Sequence, residues 1–110
     1  MEKVVLYEAE SPEIKISMLL YFNDKDQLVF DGYDIGPAVE EMFGDSDYEY
    51  TYTVTWDEVL KMGTILGVDP SNRLVFLKHL QSLFKGNDAY TKFGAFLKEN
   101  EIDHKQFTWH

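Results

Sequence analysis

From Ile14 to Phe22 an apolar residue falls at every second position: Ile14, Ile16, Met18, Leu20 and Phe22 alternate with Lys15, Ser17, Leu19 and Tyr21. A period of two sends alternate side chains to opposite sides of an extended chain, so this run predicts a strand with one strongly apolar face. Val4 to Glu8 predicts a strand before it, broken at Ser11-Pro12. The polar turn Asn23 to Asp26 and the returning apolar run Leu28 to Asp31 predict a β-hairpin. The clearest alternation is Asp47 to Thr55, with Tyr48, Tyr50, Tyr52 and Val54 on one face and Glu49, Thr51, Thr53 and Thr55 on the other.

Helical signals interrupt and then follow the strands. Pro37 suits the first turn of a helix, where the N–H it lacks would have no partner. A short helix through Ala38, Val39, Met42 and Phe43 is expected, closed by Gly44. Thr55 and Glu58 have the spacing of a capping box, followed by the stripe Val59, Met62, Gly63 and Leu66 and a stop at Gly67. Asp69-Pro70 predicts the start of the next helix, with Asp69 as N-cap and Pro70 inside the first turn. Leu77, Leu80, Leu83 and Phe84 share a face of it, with Leu74 and Phe76 nearby, and Gly86 ends it. Asn87 or Asp88 caps a last helix carrying Ala89, Phe93, Phe96 and Leu97. The tail from His104 to His110 fits either a short strand or an ordered coil.

Strands first and helices afterwards predict an α+β fold: an antiparallel sheet of about four strands with three to four helices packed on one face, as a single domain over residues 1–110. If the helices cover Ile14, Ile16, Met18 and Leu20, the opposite face presents Lys15, Ser17, Leu19 and Tyr21. It also carries Val5 and Tyr7 or Val4 and Leu6, and Thr51 and Thr53 or Tyr50 and Tyr52, according to register. Such a part-apolar, part-aromatic face suits contact with another protein, including a second copy forming a homodimer.

Charge sharpens this picture. The net charge is −10, and it is unevenly spread. Residues 1–58 hold 15 acidic and 3 basic side chains, a balance of −12; residues 59–110 hold 5 and 7, a balance of +2. Phe30 to Glu58 contains no Lys or Arg at all. Nucleic acid and anionic membrane are poor partners for such a surface, since both are recognised through Lys and Arg. A basic protein is the complementary partner. The candidate acidic rim comprises Asp31, Asp34, Glu40, Glu41, Asp45, Asp47 and Glu49.

Reactive chemistry has little footing. The chain has no cysteine, which excludes disulfides, thiolate metal sites and thiol nucleophiles and points to a reducing, cytoplasmic setting. Val4 to Tyr7 is too short for a signal-peptide core, and no window approaches the roughly 20 apolar residues of a membrane span. His79, His104 and His110 form no HExxH or i,i+4 pair, and the motifs GxSxG, GxxxxGK[ST] and GxGxxG are absent. Asp45, Asp47 and Glu49 have the first three ligand spacings of a calcium loop. Position six is Tyr50 rather than Gly, however, and position twelve is Trp56 rather than Glu. A looser cation site from Asp31, Asp34, Asp45 and Asp47 is the alternative use of this loop, either for divalent-cation binding or in a small enzyme. No cofactor is implied. The balance favours a non-enzymatic, acidic interaction module.

Leu28 to Val54 resembles a set of small bacterial proteins without assigned activity. They share a G-x-D-x-G, V-x-x-x-x-G, Y-E-Y pattern, here Gly32, Asp34, Gly36, Val39, Gly44, Tyr48, Glu49 and Tyr50. The resemblance implies a bacterial origin, and some such acidic proteins are similar in kind to immunity proteins that neutralise toxins. The three glycines themselves suggest positions of special backbone geometry.

Overall fold

The even-numbered residues of the second strand set the frame of the molecule. In a computed structural model, which describes residues 2–110, the elements run β1 (Lys3–Glu10), β2 (Lys15–Phe22), β3 (Leu28–Ile35), α1 (Pro37–Phe43), β4 (Asp47–Val54), α2 (Trp56–Leu66), α3 (Arg73–Phe84), α4 (Ala89–Glu99) and β5 (Lys105–Trp109). The five strands form one antiparallel sheet in the order β1-β2-β3-β4-β5. The fold is therefore α+β, with a fifth strand supplied by the tail. Its Phe107 and Trp109 continue the period of two, but five residues give that period too few repeats to separate strand from coil. Among the described residues no helix is long and apolar enough to cross a membrane.

Register carries the alternation of β2 across the sheet. Leu20 lies opposite Val4 and Phe30, Phe30 opposite Tyr52, and Phe22 opposite Leu28, which faces Val54. All of these are buried, together with Val59, Met62, Phe76, Leu77, Leu80, Phe93 and Leu97 from the three long helices. The hairpin turn is held by Asn23, whose Oδ1 accepts the Lys25 and Gln27 backbone N–H groups at 3.0 Å. In β1 the register shifts between Val5 and Tyr7, which leaves Leu6 as an extra residue. That bulge lets Leu6 and Tyr7 both pack inward, so neither simple alternation offered by the sequence holds for the whole strand.

Aromatic rings fill the centre. The Phe30 ring lies 5.5 Å from both Tyr90 and Phe93, and Tyr52 stacks on Tyr90 at 4.6 Å. Two glycines make room for the tyrosines. The Tyr50 ring occupies the space a Cβ at Gly32 would fill, and the Tyr52 hydroxyl does the same at Gly94. Burial pushes the Tyr52 phenol up to about 12.

Three local expectations are corrected. The third helix starts at Arg73 rather than at Pro70, because Asp69 Oδ1 accepts the Ser71 N–H at 2.9 Å and closes a turn. Pro70 is buried in that turn against Gly63, where a Cβ would come within 2.6 Å of its ring. Glu58 closes no capping box with Thr55. Its Oε1 instead takes the Lys61 ammonium at 3.0 Å and the Asp103 N–H at 2.6 Å, which ties α2 to the segment leading into β5. Leu83 is exposed, since the buried stripe of α3 runs through Phe76, Leu77, Leu80 and Phe84 and leaves Leu83 at its margin.

This packing makes two stability effects measurable by urea denaturation. Phe30→Ala costs about 3–5 kcal/mol. Gly32→Ala costs about 1–3 kcal/mol by overpacking against Tyr50. The penalty is smaller when Tyr50 is also Ala, so additive costs would show that the two residues do not compete for one space.

Candidate functional site

Among the described residues no helix covers the second face of the sheet, and odd-numbered positions of β2 to β5 build it. One row across the strands reads Val5, Leu19, Asp31, Thr51 and Phe107. The next reads Glu8, Ser17, Tyr33, Glu49 and Trp109. Rows of Lys3, Tyr21, Val29, Thr53 and Lys105 on one side, and of Glu10, Lys15, Ile35 and Asp47 on the other, complete the face. Phe107 and Trp109 are 56% and 53% exposed, large values for aromatic rings on a sheet. An open groove of about 670 Å³ lies at the end formed by β1, β2 and β3, lined by the outward-facing Glu8, Glu10, Lys15, Ser17, Tyr33 and Ile35, with Ala9 and Ile16 at their sides.

Two carboxylates meet in the middle of this face. Glu49 stands opposite Tyr33, and Asp31 opposite Thr51 one row away, so the two acids are diagonal neighbours. Asp31 Oδ2 accepts the Tyr21 hydroxyl at 3.4 Å, while its Oδ1 is shielded from solvent and has no hydrogen-bond partner. Burial raises the Glu49 carboxyl above the usual carboxylate range, and the charge of Asp31, together with the hydrogen bond a protonated Glu49 gives Asp31, raises it further; with both acids ionised that bond is absent. The ion pairs between described residues are Lys61–Glu58, Arg73–Asp26 and Lys92–Asp88; none reaches the central acids. Arg73, the sole arginine, is held elsewhere: it bonds Asp26 at 2.7 Å and lies over the rings of Phe22 and Trp56.

The seven candidate residues separate into three places. Asp31, Asp47 and Glu49 lie on the open face. Glu40 and Glu41 on α1 and Asp45 in the following loop are exposed at the edge of the molecule. Asp34 lies on the inner face, opposite Ile16 and Tyr48, where its Oδ1 accepts the Tyr50 hydroxyl at 2.6 Å. Burial raises the Asp34 carboxyl, opposed by that hydrogen bond, and it raises the Tyr50 phenol as well. Asp31 and Asp34, three residues apart on one strand, therefore face opposite sides of the sheet, and the looser set of Asp31, Asp34, Asp45 and Asp47 is not assembled. Among the described residues no group of three or more His, Asp or Glu side chains converges to hold a metal ion.

Sequence patterns passed over Tyr33, Phe107 and Trp109 as site residues. Their signal was parity alone: each belongs to the odd-numbered set that β2 sends outward, but only pairing of β5 with β4 brings the tail into that set. The glycine and tyrosine pattern of residues 32–50 is a packing unit here. Gly32 admits Tyr50, Tyr50 bonds Asp34, and Gly36 and Gly44 sit at φ 137° and 79° at the two ends of α1. No family model matches the chain, and no curated protein and no solved structure matches it significantly.

The raised Glu49 carboxyl fixes a pH dependence. Between the ordinary glutamate value and the higher folded one, the native state holds more protons than the unfolded chain, so stability falls as pH rises through that window. Glu49→Gln removes this fall. The variant melts above the wild type at neutral pH, and its advantage disappears as the pH drops below about 4. Equal melting temperatures at all pH values would show that Glu49 carries no such strain.

Proposed function

We propose that this is a non-enzymatic interaction protein whose open sheet face receives a basic segment of another protein. The observation that carries the proposal is the pair Asp31 and Glu49: two carboxylates half-buried side by side among Tyr21, Tyr33 and Trp109, with no ion-pair partner among the described residues and one shielded oxygen unbonded. An arginine or lysine side chain entering there gives both acids a counter-charge and the idle Asp31 oxygen a donor. The flanking rings offer it aromatic faces, and Phe107, Val5 and Leu19 supply apolar contact around it. Glu40, Glu41 and Asp45 lie outside this contact and act by long-range attraction, which speeds encounter more than it tightens the complex. A cytoplasmic setting, and an immunity-like role in which a basic protein is neutralised by being covered, extend this proposal. They rest on the absence of cysteine and on the resemblance of residues 28–54 to small bacterial proteins.

The test compares the protein with Asp31→Asn/Glu49→Gln and with the control Glu99→Gln/Glu101→Gln, each immobilised and exposed to extract of the source cell at low and then high salt. A basic protein is expected to bind the wild type and the control, to elute as salt rises, and to escape the double variant. With that protein purified, losing the two carboxylates costs about 2–5 kcal/mol of affinity. A basic binder held equally well by Asp31→Asn/Glu49→Gln would refute the proposed face.

A further inference from the structure

The two edges of the sheet are treated differently. At the β1 edge the backbone is already engaged: the Val5 carbonyl accepts Gln81 Nε2 at 2.7 Å, the Leu6 carbonyl accepts the Gly86 N–H at 3.0 Å, and the strand is bulged at Leu6. These are devices that stop an edge from recruiting another strand. Among the described residues the β5 edge has no bulge and no such backbone cover, and its one guard is Lys105. Its register with β4 is unbroken from Lys105 to Trp109, all five residues are exposed, and it contains no proline, glycine or carboxylate. The strand is also preformed. Gln106 Nε2 donates to the Tyr90 hydroxyl at 2.8 Å, and His104, just before it, bonds the Ile102 carbonyl and packs on Tyr52.

We propose that β5 pairs with β5 of a second copy, antiparallel and centred on Phe107, so that two five-stranded sheets become one continuous sheet of ten. The occupant follows from the strand's own order of residues. Directly opposed residues of an antiparallel pair point to the same face, so odd positions must meet odd positions. Full overlap then sets Phe107 against Phe107 of the partner subunit, and Lys105 against Trp109 of the partner subunit at both ends. The middle pair is aromatic on aromatic, and each end places an ammonium beside an indole, both favourable cross-strand pairings. Lys105, which on a solitary strand discourages pairing, here finds its complement in the reversed copy. Charge also favours this edge. Each chain carries −10, and β5 is a strand of the sheet with a lysine and no acid, so repulsion between copies is least there. The two-fold axis stands perpendicular to the sheet, so both open faces lie on one side and both sets of helices on the other. The dimer engages Phe107 and Trp109 at the margin of the open face and leaves Asp31 and Glu49 uncovered.

Absence of cysteine makes the register directly testable. Sedimentation velocity of the wild type should shift from the monomer to the dimer value as concentration rises. Added salt should strengthen this shift, whereas it weakens capture of a basic partner, so the two proposals fail separately. Phe107→Lys should remain monomeric over the same range while keeping the wild-type circular dichroism. With copper–phenanthroline as oxidant, Phe107→Cys should become a covalent dimer, since opposed Cα atoms in the pair are about 4.5–5.5 Å apart. Lys105→Cys should not, because the two Cys positions would lie four residues, roughly 13 Å, apart along the strand. Val5→Cys, on the closed edge, should also stay monomeric. A wild type that stays monomeric at every concentration, a dimer that survives Phe107→Lys, or equal cross-linking at positions 5, 105 and 107 would overturn the proposal.

Discussion

Tyr50 is held between a glycine and a carboxylate, and much of the molecule is arranged around that contact. Its ring fills the space above Gly32 on the neighbouring strand, and its hydroxyl donates to Asp34 two residues further along β3. A side chain at position 32 would push the ring away. A longer or shorter acceptor at 34 would leave a buried hydroxyl without a partner, at a cost of about 1–3 kcal/mol. The contact fixes the register of β3 with β4, and register fixes which tyrosines enter the core. With Tyr50 and Tyr52 inside, Tyr90 can stack on Tyr52, and α4 is drawn close enough that position 94 must be glycine-sized.

The same register decides the fate of the charges. Once Tyr48, Tyr50 and Tyr52 turn inward, Asp47, Glu49 and Thr51 turn outward, and Asp31 opposite Thr51 goes with them. Two carboxylates thus become diagonal neighbours on a face with no helix over it. An isolated surface acid is well hydrated and energetically inert. Here desolvation and mutual repulsion raise the Glu49 carboxyl and leave an Asp31 oxygen shielded without a donor. Unsatisfied polar groups of this kind are a standing cost to the folded chain, which the proposed cationic partner would relieve. The bulk charge of −10 sets attraction at a distance; the Asp31–Glu49 pair sets where a counter-ion would settle.

The carboxy-terminal segment links the two ideas. Glu58 binds the Asp103 N–H and brings the chain back from α4 to the sheet, and Gln106 is pinned to Tyr90. The strand that results widens the open face with Phe107 and Trp109 and at the same time becomes its free margin, whereas the opposite margin is closed by α3 and the Gly86 turn. The proposed recognition by the face and the proposed self-pairing by the edge therefore meet on this one strand, which offers outward side chains to both and a free backbone edge to the second.

Local pattern by itself determined a good part of this protein. Alternation in Ile14 to Phe22 and Asp47 to Val54 required strands, the switch to a helical period after Thr55 required helices, and their order required α+β, because each signal is carried by neighbours within one element. Gly36-Pro37 and Gly44 bounded α1 for the same reason. Pro70 does not open a helix because a local alternative, the Asp69–Ser71 turn packed on Gly63, takes its place, whereas Glu58 satisfies its local rule while in the fold a distant partner, Asp103, competes and wins. The division of the acidic stretch was settled in the same way: Asp34 to the core, Asp31 and Glu49 to the open face, Glu40, Glu41 and Asp45 to the edge. Charge counts cannot separate these positions, since a carboxylate's environment depends on strand pairing between residues far apart in the chain. The bulge at Leu6, the role of β5 and the contrast between the two sheet edges likewise belong to the tertiary structure alone, because they are relations between elements that no single segment encodes.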